Sequence, residues 1–364
     1  MRDIRSSIFI IVMVLVAIGI IMIYSASAIY AYEKMGDSLY FLKRHLLYLL
    51  LGLVMMFMTM AVNLSTLKKY AKPLMIFSAF LLIAVLIPHI GRETGGARRW
   101  FRLGPVNFQP TELTKLAMII YMADLLARKK DEVRSFLHGF MPPVMVLGFT
   151  VCLILLEPDL GTAVAISLIT IIMLFVAGVR VSHLAASLLA SIPALYVLVF
   201  SVAYRRRRIL AFLNPWADRR GTGFQIIQSF VALGSGGIFG VGLGQSKQKL
   251  FYLPASHTDF IFSIIGEELG FLGTAAIVTL FALFLWQGMK VVFKSEGLFE
   301  KYMSMGIVSL ITLEAVINIG VTAGALPTKG LPLPFISYGG SGLIFHLAAV
   351  GLLLNAAKTC EVHR

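Results

Sequence analysis

Apolar runs long enough to cross a bilayer recur along this chain, and they decide what it can fold into. A helix needs about 20 predominantly apolar residues to span the hydrocarbon core. Such runs recur near residues 8–28, 45–62, 73–89, 112–127, 139–156, 160–178, 184–203, 261–286, 302–325 and 343–357. Together they absorb nearly all of the apolar side chains, which make up 58% of the 364 residues. Only 14% of residues are charged, against roughly 25% in soluble domains. An ordinary soluble globule is excluded, and the expected fold class is an all-α polytopic membrane protein with about ten transmembrane helices in a single integral membrane domain. The first run is too long for a signal-peptide core and has no convincing cleavage site after it, so it reads as the first span.

An even number of spans puts both termini on one side. Short basic loops carrying Lys68, Lys69 and Lys72, then Arg128, Lys129, Lys130 and Arg134, then Lys290, Lys294 and Lys301 read as cytoplasmic, and the termini with them. The other side is also basic. Residues 90–111 hold four Arg against Glu93, and residues 204–260 hold eight Lys or Arg against Asp218 and Asp259. Long loops obey the charge rule poorly, so this outer excess asks for another cause, and with a net charge of +14 an anionic partner is expected. A pyrophosphate-bearing substrate would supply one. Cys152 and Cys360 are too few and too badly placed for a disulfide framework or a zinc site.

Residues 204–260 form the only long connection, and a long connection in a compact protein is usually functional or disordered, of which the functional reading is preferred. Within it, residues 224–233 have the spacing of a short interfacial helix, followed by Gly234, Gly236, Gly237, Gly240, Gly242 and Gly244. A nucleotide loop is rejected, because no strand precedes these glycines and no Gly-Lys-Ser/Thr closes them. They read as a flexible or close-packed backbone turn at the membrane surface.

Four segments concentrate chemistry. In Gly96-Ala-Arg-Arg-Trp-Phe-Arg-Leu-Gly-Pro-Val-Asn-Phe-Gln-Pro-Thr-Glu-Leu-Thr-Lys115, Thr111 is a candidate N-cap. Glu112 and Lys115 fall on one helical face, with Lys115 a turn inside an apolar run where ionisable groups are costly. In Leu156-Glu-Pro-Asp-Leu-Gly-Thr162, Asp159 is either a helix cap or one of two carboxylates that hold an arginine or a divalent ion. Where the long loop ends, His257-Thr-Asp-Phe-Ile-Phe262 places Asp259 at the lipid boundary, where a general base for a membrane-anchored substrate would stand; a simple cap is the alternative. Glu267 and Glu268 follow two turns deeper. The last connection, residues 326–342, is proline-stiffened and then glycine-rich. It offers Lys329, Ser337, Tyr338 and Ser341 in a stretch able to re-enter the membrane. Glu314 and Asn318 read as an interhelical polar contact.

In this order, Gly-Ala-Arg-Arg-Trp with Gln-Pro-Thr-Glu-Leu-Thr-Lys, Glu-Pro-Asp-Leu-Gly-Thr, His-Thr-Asp-Phe-Ile-Phe with Gly-Glu-Glu-Leu-Gly, and Pro-Phe-Ile-Ser-Tyr-Gly-Gly-Ser resemble the SEDS family (shape, elongation, division and sporulation). The resemblance runs from the first span to about Lys358. It is nearer the FtsW and SpoVE branch, through His257-Thr258-Asp259 and Asn214-Pro215-Trp216, than the elongation relative RodA. Pro-Ala-Ser-His replaces the Pro-Glu-X-His common in that branch.

The resemblance implies a GT-C-like fold with ten spans, cytoplasmic termini and a large extracytoplasmic loop at 204–260, in the bacterial plasma membrane. It implies a peptidoglycan glycosyltransferase, active on the extracytoplasmic side, that joins lipid II into β-1,4 glycan strands for septal or spore wall. The partners it implies are a class B penicillin-binding transpeptidase and other divisome proteins, with no nucleic acid. Asp259 matches the essential acid, and Glu112, Lys115 and Asp159 match polar residues of the central cavity. Arg98, Arg99, Lys115 and a divalent cation, Mg or Mn, are expected to stabilise the diphosphate. His257, Lys329, Ser337 and Ser341 are further candidates for substrate binding, and no nucleotide is expected. A lipid II flippase and a non-catalytic divisome scaffold are the rival readings.

Overall fold

Each apolar run folds as a helix, because a backbone in lipid must satisfy its polar groups within the segment. The computed structural model describes residues 2–94, 97–104, 106–219, 221–328 and 330–362. In chain order the elements are α1 (Arg2–Met35), α2 (Tyr40–Ala61), α3 (Leu64–Lys69), α4 (Ala71–Leu86), β1 (Arg92–Thr94), β2 (Ala97–Leu103) and β3 (Val106–Phe108). There follow α5 (Pro110–Arg128), α6 (Met141–Leu156), α7 (Leu160–Ala177), α8 (Val181–Phe200), α9 (Ala203–Leu213), α10 (Phe224–Ser235), α11 (Ile261–Lys294), α12 (Leu298–Thr322) and α13 (Ser341–Val362).

Among the described residues, eight helices are long and apolar enough to cross a membrane, which makes this a multi-pass membrane protein. Two of the ten expected spans fall outside that set. α4 is apolar but only 16 residues long, and α5 carries Glu112, Lys115 and Asp124 in its apolar run. The charges on α5 are tolerated because the helix is central, with almost its whole circumference buried. α12 and α13 are also largely interior, whereas α8 stands at the periphery with Leu184 as its one buried residue.

Local chemistry sets the helix ends. Asp159 caps α7 by accepting the Thr162 N–H at 3.1 Å. Gly178, at φ 91°, ends that helix in the left-handed conformation that glycine adopts without a Cβ penalty. Thr111 does not cap α5. Pro110 takes the first helical position, where its fixed φ suits a helix start, so the cap position falls on Gln109 and Thr111 is buried.

Two features depart from a plain bundle. Strands β1, β2 and β3 form an antiparallel three-stranded sheet in that order, with Glu93 opposite Arg98 and Arg102 opposite Asn107. The long helix α11 is broken at Gly270, whose φ of 67° and ψ of −162° no helix contains. The glycine-rich turn after α10 takes up the freed backbone groups. Val241 and Gly242 donate N–H to the carbonyls of Glu267 and Glu268 at 3.0 and 3.1 Å, while Phe271 and Leu272 donate to Gly237 and Ile238 at 2.9 and 3.2 Å. Such a break at membrane depth is tolerable because protein backbone supplies the partners that lipid cannot. A Cβ on Gly270 would lie 2.3 Å from the Gly240 nitrogen, so the approach requires glycine.

Helices that cross in alternation present alternate ends to one side. The C-terminal ends of α1, α6, α8 and α12 and the N-terminal ends of α2, α5, α7, α11 and α13 meet the sheet, α9, α10 and the loop of residues 323–340 at the same end of the bundle. Every segment singled out for chemistry lies at that end, opposite the start of α1.

Candidate active site

At that end lies a cavity of about 780 Å³, lined by Tyr40, Phe41 and Arg44 of α2, Arg99 and Trp100 of β2, Glu112 of α5, and Asp159, Asp259 and Tyr338. Beside it a second cavity of about 310 Å³ is lined by Tyr204, Arg205 and Arg208 of α9, by Thr328, and again by Arg99, Asp159 and Asp259. Asp259 therefore faces both chambers.

Its placement follows from three consecutive carbonyls, each with its own donor. The His257 carbonyl accepts the Tyr338 N–H at 3.0 Å, the Thr258 carbonyl accepts the Ser337 hydroxyl at 2.6 Å, and the Asp259 carbonyl accepts the Asn318 amide at 2.9 Å. Asn318 also donates to Leu331 at 2.8 Å, tying the Asp259 segment and the loop of residues 323–340 to α12. Gly330 leaves the carboxylate room: a Cβ there would lie 3.0 Å from Oδ2. Asp259 does not cap α11, whose cap position is Phe260, so its side chain stays free for the cavities. Burial pushes its carboxyl up to about 6, with the Arg208 guanidinium pulling the other way. His257, among the rings of Tyr30, Phe41 and Tyr338, is held down at about 4 by burial and is neutral at physiological pH.

The sheet delivers Arg99 to the site. Its Nε donates to the Glu157 carbonyl at 2.8 Å and its Nη2 to the Pro158 carbonyl at 2.6 Å, so the turn before α7 does hold an arginine, through main-chain oxygens. The sheet itself is anchored by the Asn107 N–H to the Tyr48 hydroxyl at 2.8 Å and the Gln109 N–H to the Ser341 hydroxyl at 3.1 Å.

The divalent ion expected in that turn does not fit these residues. Asp159 accepts both the Thr162 N–H and its hydroxyl, at 3.1 and 2.9 Å. Burial and the neighbouring Asp159 push Glu157 up to about 8, so it is largely neutral near pH 7. Among the described residues no three His, Cys, Asp or Glu gather as ligands.

The remaining expected site residues divide by what they touch. Arg98 pairs with Glu93 at 3.5 Å on the exposed face of the sheet and lines neither cavity. Lys115 is buried between Glu112 at 2.9 Å and Glu314 at 2.5 Å, and Glu314 also meets His346 at 2.6 Å. Glu112 thus borders the cavity, whereas Lys115 sits behind it as the centre of a buried network and makes no direct approach to a diphosphate. Ser337 and Ser341 are buried and hydrogen-bonded into the fold. Lys329 lies outside the described residues. Sequence reasoning did not assign Arg205, Arg208 or Asn318 to the site. The run Arg205 to Arg208 was visible as charge, but nothing in the sequence showed that α9 folds it back over Asp259.

A helical membrane bundle with an arginine-lined two-chamber cavity, in which Asp259 and Asp159 lie between the chambers, is equipped to handle an anionic, membrane-borne substrate. The chain belongs to the FtsW, RodA and SpoVE family of cell cycle proteins, whose model matches residues 5–361. It is 48% identical over 341 residues to the probable peptidoglycan glycosyltransferase FtsW of Geobacter sulfurreducens, covering 94% of this chain and 91% of that one. It is 45% identical over 349 residues to the stage V sporulation protein E of Bacillus subtilis, covering 96% and 95%. Among solved structures, it matches a chain from work on the coordination of polymerization and crosslinking by a peptidoglycan synthase complex, at TM-score 0.81 and 32% identity over 98% of both chains. It matches the rod shape determining protein RodA of Thermus thermophilus at TM-score 0.72 and 30% identity, over 96% of this chain and 95% of that one.

Proposed function

We propose that this chain is a peptidoglycan glycosyltransferase that polymerises lipid II into β-1,4 glycan strands, with Asp259 as the general base. The observation that carries the mechanism is the position of Asp259 where the two chambers meet, since the base must reach the acceptor hydroxyl at the point where that oxygen meets the donor's anomeric carbon; Asp159 lines both chambers too, but its carboxylate is engaged by Thr162. The ionised carboxylate takes the proton from the acceptor sugar hydroxyl as that oxygen attacks the anomeric carbon of the donor. The bond from that carbon to the diphosphate breaks, and the polyprenyl diphosphate leaves with the electron pair. Among the described residues no Ser, Cys or His lining the two chambers is arranged as a nucleophile, so direct displacement with inversion is the reading.

A diphosphate is already a good leaving group, and what remains for the protein is to stabilise its charge. Arg99, Arg205 and Arg208 line the smaller chamber next to Asp259 and suit a diphosphate, because guanidinium groups grip phosphoryl oxygens in a planar fork. A base that titrates near 6 is ionised at neutral pH and yet retains more affinity for a proton than an exposed aspartate has, which is what general-base catalysis requires.

The cavity end is extracytoplasmic and both termini are cytoplasmic in this reading, and short basic loops such as Arg128 to Arg134 at the opposite end support that orientation. A class B penicillin-binding transpeptidase is the partner, in keeping with the similar chain found in a peptidoglycan synthase complex. A flippase would need polar groups free to accompany a headgroup inward, yet the deeper charge Lys115 is held between Glu112 and Glu314, and Glu314 is also bound to His346. The test is glycan polymerisation from labelled lipid II by the purified protein with its partner transpeptidase inhibited but present. Long strands are expected; lipid II translocation without polymerisation would overturn the proposal.

A further inference from the structure

Glu267 and Glu268 are adjacent carboxylates inside α11, about 12 Å along the helix from Asp259, and both are buried, at 2% and 0% exposure. Ionisable groups at such a depth are costly and need specific partners. Their partners come from the stretch of the long loop that leads to Asp259. Glu267 accepts the Ser246 hydroxyl and the N–H groups of Lys247 and Gln248, the latter two at 2.9 and 3.3 Å. Glu268 accepts the Lys249 ammonium at 2.8 Å and the Ser25 hydroxyl of α1 at 2.7 Å, and Lys249 reaches Ser25 at 3.1 Å. The main-chain carbonyls of the same two glutamates hold Val241 and Gly242. One two-residue step of α11 therefore stakes down residues 241–249 by main chain and side chain together.

From Lys249 the chain runs only ten residues to Asp259. That strap contains Phe251 and Ala255 at φ 67° and 56°, a left-handed conformation that non-glycine residues keep only where their surroundings over-determine it. Its far end is fixed by Asn318, Ser337 and Tyr338. Its near end is fixed by Glu267 and Glu268. Ser256 adds a contact to the Ala26 carbonyl, next to Ser25 on α1, at 3.5 Å.

We infer that Glu267, Glu268 and Lys249, braced by Ser25, are positioning residues that hold the Asp259 strap in its taut, catalytically aligned form. This rests on Asp259 being the base. The clamp lines neither of the two chambers and acts through the backbone of residues 250–258. If it is released, the left-handed residues relax and the carboxylate leaves its place between the chambers, while the substrate-lining arginines stay where they are. Turnover should fall without a matching loss of substrate affinity.

The test uses the full-length protein with its partner and measures kcat and KM for lipid II polymerisation, with amide hydrogen exchange over residues 250–258. Glu268→Gln leaves the Lys249 ammonium without its counter-ion. It should lower kcat about tenfold or more with KM changed less than about twofold, and speed exchange across the strap. The double variant Lys249→Met with Glu268→Gln should recover part of kcat. Should Glu268→Gln not fold, Ser25→Ala, which deletes only a hydroxyl, is expected to show the same pattern in smaller measure. Unchanged kcat per folded molecule, or exchange confined to its wild-type rate, in Ser25→Ala and the foldable clamp variants would overturn the inference. Asp259→Asn run alongside separates the two claims: full activity in that variant removes the base assignment, whereas an inactive Asp259→Asn beside unaffected clamp variants removes only the clamp.

Discussion

The proposed role of Asp259 rests on where its backbone is held and what surrounds its carboxyl. Burial raises its titration to about 6, and the base must be ionised to accept a proton, so polymerisation should fall as pH drops through about 6. Arg208 opposes that rise, so Arg208→Met should move the acid limb to higher pH, read from the pH dependence of kcat. A limb unmoved by Arg208→Met would separate the two residues. The native state binds a proton at Asp259 more tightly than the unfolded chain does, so ionising it costs stability above about pH 4 and most fully above about 6. Asp259→Asn is therefore expected to melt no lower than wild type at neutral pH, by thermal unfolding in detergent. The sequence made Asp259 visible through its motif and its place at a span boundary. It did not make visible that Asn318, Ser337 and Tyr338 hold the three carbonyls of that motif, since those residues lie 59 or more positions away. Ser337 looked like a substrate ligand because a hydroxyl's partner cannot be read from sequence.

Among the elements, α5 is central because its charges are paired. Lys115→Ala would strand Glu112 and Glu314 in the bundle interior, a change that costs about 3–5 kcal/mol when a buried pair is broken. The triple change to Glu112→Gln, Lys115→Met and Glu314→Gln should cost less than that single change, by thermal unfolding. Equal losses would show the network to be solvated. The glycines of α10 and of the turn that follows it are unequal for a similar geometric reason. A Cβ on Gly240 would lie 2.2 Å from the Glu268 carbonyl oxygen and one on Gly234 meets nothing within 4 Å. Gly240→Ala and Gly270→Ala should each destabilise strongly, with conformational strain alone of about 1–3 kcal/mol, and Gly234→Ala should be near neutral. All ten helical runs could be read from hydropathy. The β1–β3 sheet and the break in α11 could not, because short strands of mixed polarity carry little periodic signal and a single glycine inside a helical run is usually tolerated.

Across the molecule as a whole, alternation of the helices brings segments from Arg44 to Tyr338 to one end, where Arg44, Arg99, Arg205 and Arg208 line the chambers that Asp159 and Asp259 share. The same bundle buries its deeper charges as a closed network, which makes the cavity a site for chemistry at one face rather than a path through the membrane. A partner that presses on residues 204–260 has a direct mechanical route to Asp259 through the staked strap. The decisive experiment is strand synthesis from labelled lipid II by wild type and Asp259→Asn, each with the partner transpeptidase, with lipid II binding measured in parallel. Wild type should give long glycan strands, and Asp259→Asn should bind lipid II and give none; strand synthesis at the wild-type rate by Asp259→Asn would contradict the mechanism.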